Sequence, residues 1–223
     1  EKRMSQISIQ ESYRDKTVLV TGTSGFVGKV WLAMMLDRVP DIGKLVVVLR
    51  KKGLRPVSHR FEKIVNTSPV FKPLHERFGA ELSDYVSQRV EVVEGDISKP
   101  DFGIDADTAA RLKVETDLVI NCAGLVDFNP DVRLAVGSNI DGAIYAGDFA
   151  HEADAQLVHV STCYVRGRKD GTVDESIEYG YTPTGDVIDP EAEVAAMREI
   201  IAEVEAQHST SEAEELLVKE VRQ

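Results

Sequence analysis

The sequence contains little cysteine and no long hydrophobic run, and each absence excludes a class of protein. Only two of its 223 residues are cysteines, Cys122 and Cys163, and they lie far apart in the chain. Two reduced thiols are the simplest interpretation, which favours a cytoplasmic protein over a secreted, disulfide-bonded one. No apolar run approaches the roughly 20 residues that span a bilayer, so we expect no transmembrane segment.

Signatures of metal and nucleic-acid binding are missing as well. The five histidines are scattered and form no cysteine–histidine spacing typical of a metal site, so no metal is expected. A net charge of −12 argues against binding to nucleic acid, although most of the acidic excess lies in the C-terminal tail. A hydrophobic content of 43% over this length is enough for one domain with a sizeable core.

Short apolar runs alternate with helical patterns as far as Ser161. Each run is continuous rather than alternating, which is typical of parallel strands covered by helices on both faces. The alternation predicts an α/β fold with a doubly wound, Rossmann-type parallel sheet in the strand order 3-2-1-4-5. The predicted strands are Val18–Val20, Leu45–Leu49, Val90–Val93, Leu118–Ile120 and Leu157–Val160.

The character of the chain changes after the fifth strand. A loop rich in Gly, Asp, Thr and Pro leads to a predicted helix that begins at Pro190, and a second helix is expected over Ser211–Val221. We therefore predict a dinucleotide-binding domain over residues 1–167. Residues 168–223 are predicted to form an acidic loop and helical extension that leads to a substrate-binding region.

The most informative motif is a glycine-rich turn between the first strand and a helix predicted over Phe26–Arg38. Gly22, Gly25 and Gly28 let the backbone approach a pyrophosphate, and the helix that follows offers free N–H groups to the anion. A strand before the turn and a helix after it make the pattern specific. The alternative is an ordinary strand-to-helix turn. The residues predicted to bind the cofactor here are Gly22, Thr23, Ser24, Gly25, Phe26 and Gly28.

Basic residues follow the second strand, where a dinucleotide site distinguishes its cofactors. A free ribose 2′-hydroxyl usually meets an Asp or Glu at this position, whereas a 2′-phosphate is held by a guanidinium. The sequence has Arg50 and Lys51 there and no acid, which favours NADP over NAD. The alternative is a solvated basic surface.

Two further strand ends carry residues suited to a dinucleotide. Asp96 and Ile97 follow the third strand, where the carboxylate can accept a bond from the adenine amine and the Ile can pack on the ring. The small residues Cys122, Ala123 and Gly124 follow the fourth strand and would let the backbone run beside the cofactor ribose. Ligands bind beyond the carboxyl ends of such strands, so these residues are predicted to share one site.

Hydroxyl residues follow the fifth strand. Ser161 and Thr162 would lie over the nicotinamide, where a hydroxyl can donate a hydrogen bond to a substrate carbonyl oxygen. The alternative interpretation is a Ser/Thr turn without a part in catalysis.

Taken together, these motifs resemble the extended short-chain dehydrogenase/reductases. Within that superfamily the chain is most similar to the fatty acyl-CoA reductases, which have a male-sterility-type NAD-binding domain. The resemblance covers roughly Lys16–Gly167. It is carried by the segments Thr21–Lys29, Leu49–Gly53, Pro69–Leu74, Glu94–Ser98, Asn121–Phe128, Asn139–Gly142 and His159–Val165.

The resemblance implies NADPH-dependent reduction of a fatty acyl-CoA thioester to an aldehyde, often followed by reduction to the alcohol. Thr162, with Ser161 as the alternative, matches the hydroxyl residue that polarises the carbonyl. Asn139 matches the family's helix Asn, which supports the local hydrogen-bond network. Acyl-CoA or another acyl thioester is therefore the implied substrate. The chain is also compatible with a homo-oligomer.

The sequence departs from the family at the proton donor, a Tyr in a Tyr-x-x-x-Lys motif. No such motif occurs: Tyr164, for example, has Arg168 at the fourth place. We expect that the motif lies further along a longer polypeptide, with an inactive homologue as the alternative. The competing functions are a carrier-protein thioester reductase, another extended reductase, and a non-catalytic dinucleotide-binding module.

Overall fold

A computed structural model describes residues 8–167, 170–172, 176, 179–182 and 184–208 of the chain. Among these residues two compact units are separated between Ser161 and Thr162. The domain boundary expected after residue 167 stays a prediction. The second helix expected at Ser211–Val221 lies outside the described residues.

The first unit is built on a five-stranded parallel sheet with the order β3-β2-β1-β4-β5, which confirms the predicted topology. In the central strand, Val18 is paired with Leu45 on one side and with Leu118 on the other. The strands are β1 (Thr17–Thr21), β2 (Lys44–Leu49), β3 (Val90–Glu94), β4 (Leu118–Asn121) and β5 (Gln156–His159).

Helices cover both faces of this sheet. The described α-helices are α1 (Ile9–Tyr13), α2 (Phe26–Arg38), α3 (Val57–Thr67), α4 (Lys72–Phe78), α5 (Leu82–Ser87), α6 (Ala106–Glu115), α7 (Val132–Ala135), α8 (Gly142–Glu152) and, in the second unit, α9 (Pro190–His208). Short 3₁₀ turns lie at Pro69–Phe71, Gly79–Glu81, Pro100–Gly103 and Cys163–Arg166. None of the helices described is both long enough and apolar enough to cross a membrane.

The core consists of two apolar layers, one on each face of the sheet. Successive strand residues point to opposite faces. Val18 and Val20 of β1 therefore pack with α2 to α5, while Leu19 packs with α6 and α8. Both layers contain fully buried aromatic rings, Phe71 in the first and Phe102 in the second. Because both faces are buried, the strands are continuous apolar runs in the sequence.

The sequence predicts one long helix from about Asp131 to His151, and the structure shows an interruption in it. α7 and α8 are joined by a π-helical segment, Val136–Asp141, within one helical stretch. Asp131 caps the start of α7 by accepting a hydrogen bond from the backbone N–H of Arg133. A π segment inserts an extra residue into a turn and so changes which side chains share a face. This change matters for Asn139, which lies inside the segment.

Candidate cofactor site

The carboxyl ends of β1 to β4 surround a cavity of about 290 Å³ in the first unit. It lies at the edge of the sheet where a doubly wound fold binds its ligands. Four separate loops contribute to its wall, and most of the predicted cofactor residues belong to it. Those that line the cavity are Gly22, Ser24, Gly25, Arg50, Asp96, Ile97, Cys122, Ala123 and Gly124.

The turn after β1 is compact because two positions leave no room for a side chain. Gly22 has a φ of +76°, and a Cβ there would lie 2.4 Å from the carbonyl carbon of Cys122. A Cβ on Gly28 would lie 2.4 Å from the carbonyl oxygen of Gly22. The first turn of α2 therefore packs directly on the loop, and the loop packs directly on the end of β4.

The start of α2 is suited to an anion. Gly25 is the N-cap and has no side chain to bond the first N–H groups of the helix, while its own N–H donates to the Gly22 oxygen at 2.9 Å. The free N–H groups and the positive end of the helix dipole are therefore available to a phosphate. A turn with glycine at both of these positions fits the pyrophosphate of a dinucleotide.

The other residues predicted to bind the cofactor in this turn differ in their solvent exposure. Ser24 is exposed and lines the cavity, and Phe26 is 75% exposed at the first position of α2. Thr23 is 1% exposed, and its hydroxyl has no hydrogen-bond partner among the described residues. Gly28 is buried under the turn. Thr23 and Gly28 thus shape the loop from beneath and do not line the cavity.

The basic wall of the cavity contains a residue that the sequence did not reveal. Arg50 follows β2 directly, and Arg60 of α3 donates a hydrogen bond from Nη1 to the Arg50 carbonyl oxygen. Both side chains line the cavity together with Lys52, whereas Lys51 does not line it and lies 3.6 Å from the carboxylate of Glu94. Burial, and then the charge of Arg50, lower the pKa of Arg60.

The end of β3 presents a fixed carboxylate. Oδ1 of Asp96 accepts hydrogen bonds from the backbone N–H of Ser98 at 3.1 Å and from its hydroxyl at 2.8 Å. Ile97 is half-buried and packs close to the start of α8, since a Cβ on Gly142 would lie 3.1 Å from its Cδ1 atom. The two side chains are thus held in place by their neighbours beside the cavity.

Asn139 secures the loop after β4. Its Oδ1 accepts from the backbone N–H of Leu125 at 2.7 Å, and its Nδ2 donates to the Leu125 carbonyl oxygen at 3.0 Å. Both the oxygen and the nitrogen of the Asn139 amide are therefore hydrogen-bonded to the backbone of Leu125, the residue after Gly124. A role for Asn139 in catalysis stays a prediction. Its two hydrogen bonds to Leu125 are those of a residue that positions a loop. In the same loop, burial raises the pKa of the Cys122 thiol, which keeps it uncharged.

A polar network joins the ends of β1, β4 and β5, with Thr21 and Asn121 buried and His159 exposed, and the motifs in the sequence did not predict it. The Thr21 hydroxyl donates to Oδ1 of Asn121 at 2.6 Å. Nδ2 of Asn121 contacts the Gly142 carbonyl oxygen at 3.4 Å and Nδ1 of His159 at 3.2 Å. A carbonyl can only accept, so it fixes the orientation of the amide and makes Nδ1 of His159 an acceptor. The signal in the sequence was a polar side chain at the end of each of three apolar strands, namely Thr21, Asn121 and His159.

The predicted catalytic hydroxyls fall on either side of the division between the two units. Ser161 is the last residue of the first unit, is exposed, and does not line the cavity. Thr162 opens the second unit, where its Oγ1 accepts a hydrogen bond from the Tyr164 N–H at 3.2 Å and caps a 3₁₀ turn. Their catalytic roles stay predictions. In the described part of the chain, no three His, Cys, Asp or Glu side chains are grouped as metal ligands.

Residues 20–222 match the family described as male sterility protein, one of the NAD-binding domain families. The chain belongs to the male sterility protein family. A nicotinamide dinucleotide is therefore the class of cofactor that the family match supports for this chain. Among relatives of this family, the chain is 31% identical to fatty acyl-CoA reductase 8 of Arabidopsis thaliana over 93% of its own length and 43% of that protein.

Two further comparisons agree with this family. The alcohol-forming fatty acyl-CoA reductase of Simmondsia chinensis is 33% identical over 77% of the chain and 36% of that protein. A reductase domain of a nonribosomal peptide synthetase from Mycobacterium tuberculosis superposes with a TM-score of 0.56 at 28% identity, over 70% of the chain and 35% of that domain. The chain thus spans less than half the length of these relatives.

Proposed function

We propose that this chain is the cofactor-binding part of an NADPH-dependent reductase that reduces a fatty acyl-CoA thioester to the aldehyde, the alcohol or both. The observation that carries this proposal is one cavity that combines a glycine-rich phosphate turn with a basic wall at the end of β2. The relatives named as fatty acyl-CoA reductases support the acyl thioester as substrate. A cytoplasmic location belongs to the same proposal.

Each wall of the cavity has a part in binding. The turn at Gly22 and the N-terminus of α2 would hold the pyrophosphate, and Arg50 would hold a 2′-phosphate. Asp96 and Ile97 would hold the adenine, and the loop secured by Asn139 would run beside the nicotinamide ribose. When bound, NADPH supplies the hydride that the acyl carbonyl carbon accepts.

Thr162, with Ser161 as the alternative, would donate a hydrogen bond to the substrate carbonyl oxygen. Such a bond stabilises the negative charge that develops on that oxygen during hydride transfer. The sequence contains no Tyr-x-x-x-Lys, so we assign no proton donor within these 223 residues.

The decisive experiment is a reductase assay on the full-length protein. A panel of acyl-CoA chain lengths is incubated with NADPH, and both nicotinamide absorbance and lipid products are followed. We expect NADPH consumption that depends on acyl-CoA. Thr162→Ala should lower kcat by roughly 10²-fold with NADPH affinity unchanged, while Thr162→Ser should retain most activity because it keeps the hydroxyl.

Two other functions are outcomes of the same assay. Turnover only with an acyl group bound to a carrier protein would favour a carrier-protein thioester reductase. NADPH binding without turnover of any acyl substrate would favour a non-catalytic dinucleotide-binding module. The missing Tyr-x-x-x-Lys is the observation that supports this second function.

A further inference from the structure

Residues 125–139 leave the wall of the cavity and return to it. Leu125, in the loop after β4, and Ser138, in the π-helical segment, both line the cavity. Asn139 closes the base of the 125–139 segment, because its side-chain amide bonds both the N–H and the carbonyl oxygen of Leu125. Between the two ends lie a loop and the short helix α7. The segment is therefore a closed loop whose ends belong to the candidate cofactor site.

The 125–139 segment exposes large apolar side chains to solvent. Phe128 is 93% exposed and Val126 is 89% exposed, only a few residues from the cavity wall. In α7, Val132 and Leu134 are 51% and 60% exposed. A single exposed apolar residue is ordinary on a protein surface, but a group of them in one short segment marks a surface that binds another apolar group. Since the segment begins and ends at the cavity, this surface is continuous with the candidate site.

The charges of the segment do not suit the coenzyme A part of an acyl thioester. Arg133 is the one basic residue among residues 125–139, and its guanidinium is paired with the carboxylate of Asp131. Asp127 adds a second carboxylate, whose Oδ1 accepts a hydrogen bond from the backbone N–H of Asn129. A net negative charge repels the phosphates of coenzyme A. An uncharged hydrocarbon chain is not repelled, so the segment suits the acyl chain.

We propose that the 125–139 segment binds the acyl chain of the substrate, with Phe128 as the principal contact and Val126 beside it in the sequence. The inference rests on the proposed acyl-CoA reductase function and assigns the substrate's hydrocarbon to one part of this chain. In that function the loop at Leu125 would run beside the nicotinamide ribose, so the acyl chain leaves the reacting carbonyl carbon close to the segment. Apolar contacts stabilise a complex roughly in proportion to the area removed from water. A long acyl chain therefore gains more from the segment than a short one.

The competing occupants of this surface are a later part of a longer polypeptide and a second copy of this chain. Either one would cover the surface whatever the substrate, whereas an acyl-chain site affects long substrates alone. Phe128→Ala removes the ring, and Phe128→Leu keeps an apolar side chain of intermediate size. Val114→Ala is the matched control, because Val114 is 87% exposed on α6 and does not line the cavity.

The test compares palmitoyl-CoA, below its critical micelle concentration, with butyryl-CoA on the full-length protein. Phe128→Ala should raise the KM for palmitoyl-CoA by roughly 5- to 20-fold and change the KM for butyryl-CoA and both kcat values by less than about twofold. Calorimetric titration without NADPH should show palmitoyl-CoA binding weakened by a similar factor and binding of free coenzyme A unchanged. Phe128→Leu should lose less than Phe128→Ala, and Val114→Ala should behave like the wild type.

The outcomes separate this inference from the proposed function. If Phe128→Ala affects palmitoyl-CoA and butyryl-CoA equally, or affects neither, the inference is overturned and the proposed function stands. An equal effect with a lower unfolding temperature would assign the surface to a later part of the polypeptide, and one with an altered sedimentation coefficient would assign it to a second copy. If the wild type consumes no NADPH with any acyl-CoA, the proposed function fails, and the calorimetric comparison still decides the inference. Should Phe128→Ala unfold, Phe128→Leu and Val126→Ala decide.

Discussion

Arg50 lies at the one position where this site distinguishes a phosphate from a hydroxyl. Its side chain is exposed and lines the cavity beside the glycine turn. We expect Arg50→Ala to weaken NADPH binding by about 1–3 kcal/mol and NADH binding far less, because only NADPH loses a charged hydrogen bond. The difference should shrink at high salt, which screens an exposed charge. Titration of both cofactors at two ionic strengths measures it, and equal losses for NADPH and NADH would contradict it.

Two glycines in helices provide a matched pair at the same scale. A Cβ added to Gly28 in α2 would lie 2.4 Å from the Gly22 carbonyl oxygen. A Cβ added to Gly147 in α8 would have no atom within 4 Å. Gly28→Ala should lower the free energy of unfolding by about 1–3 kcal/mol, since the turn must move to admit the methyl group. Gly147→Ala should raise it by about 0.5–1 kcal/mol, because alanine is the better helix former.

Chemical denaturation of the two variants measures this contrast. Gly28→Ala should also lose affinity for both cofactors, because the displaced loop is the phosphate cradle, whereas Gly147→Ala should bind normally. A stable Gly28→Ala variant with normal binding would show that the turn can admit a methyl group at this position.

The π-helical segment between α7 and α8 positions a loop through one side chain. Asn139 bonds both the N–H and the carbonyl oxygen of Leu125, next to the cavity. Asn139→Ala should weaken NADPH and NADH by similar factors, about 1–2 kcal/mol each, since the loop beside the ribose loses support common to both cofactors. Asn129→Ala is the control, because the bond that Asn129 makes to Asp127 uses its backbone N–H. A selective loss of NADPH, or no loss, would contradict this positioning role.

Elements defined by local pattern could be predicted from the sequence, and contacts between distant residues could not. The apolar runs predicted all five strands, and the bounds of α2 are confirmed, since Gly25 precedes the helix and Pro40 follows it. The π segment was missed because the apolar spacing fits one continuous helix. Arg60 was missed because its approach to Arg50 depends on where α3 begins and how its first turns pack at the end of β2.

The two edges of the sheet differ in how they are protected. β3 carries the acidic Glu91 and Glu94 along its length, both in ion pairs. β5 has four exposed residues with apolar side chains at its centre, Leu157 and Val158, which are 42% and 47% exposed. An exposed apolar edge strand invites pairing with another chain. At the scale of the whole chain, we therefore expect this edge to be a contact for self-association.

We expect the 223-residue chain to associate in a concentration-dependent way and Val158→Lys to reduce the association, since a charge on an edge strand opposes pairing. Val114→Lys is the matched control, because Val114 is 87% exposed on α6, away from the strand edge. Sedimentation velocity over a range of concentrations is the measurement. Equal behaviour of the two lysine variants would show that β5 is not the contact.

The network at the strand ends also provides an intrinsic spectroscopic label. Asn121 points its amide N–H at Nδ1 of His159, so the neutral imidazole carries its proton on Nε2. His159 lies two residues before Ser161 in the chain. The ¹⁵N resonances of this one ring therefore report whether β1, β4 and β5 keep their relative register, in the wild type and in every variant proposed above, without any dye or ligand.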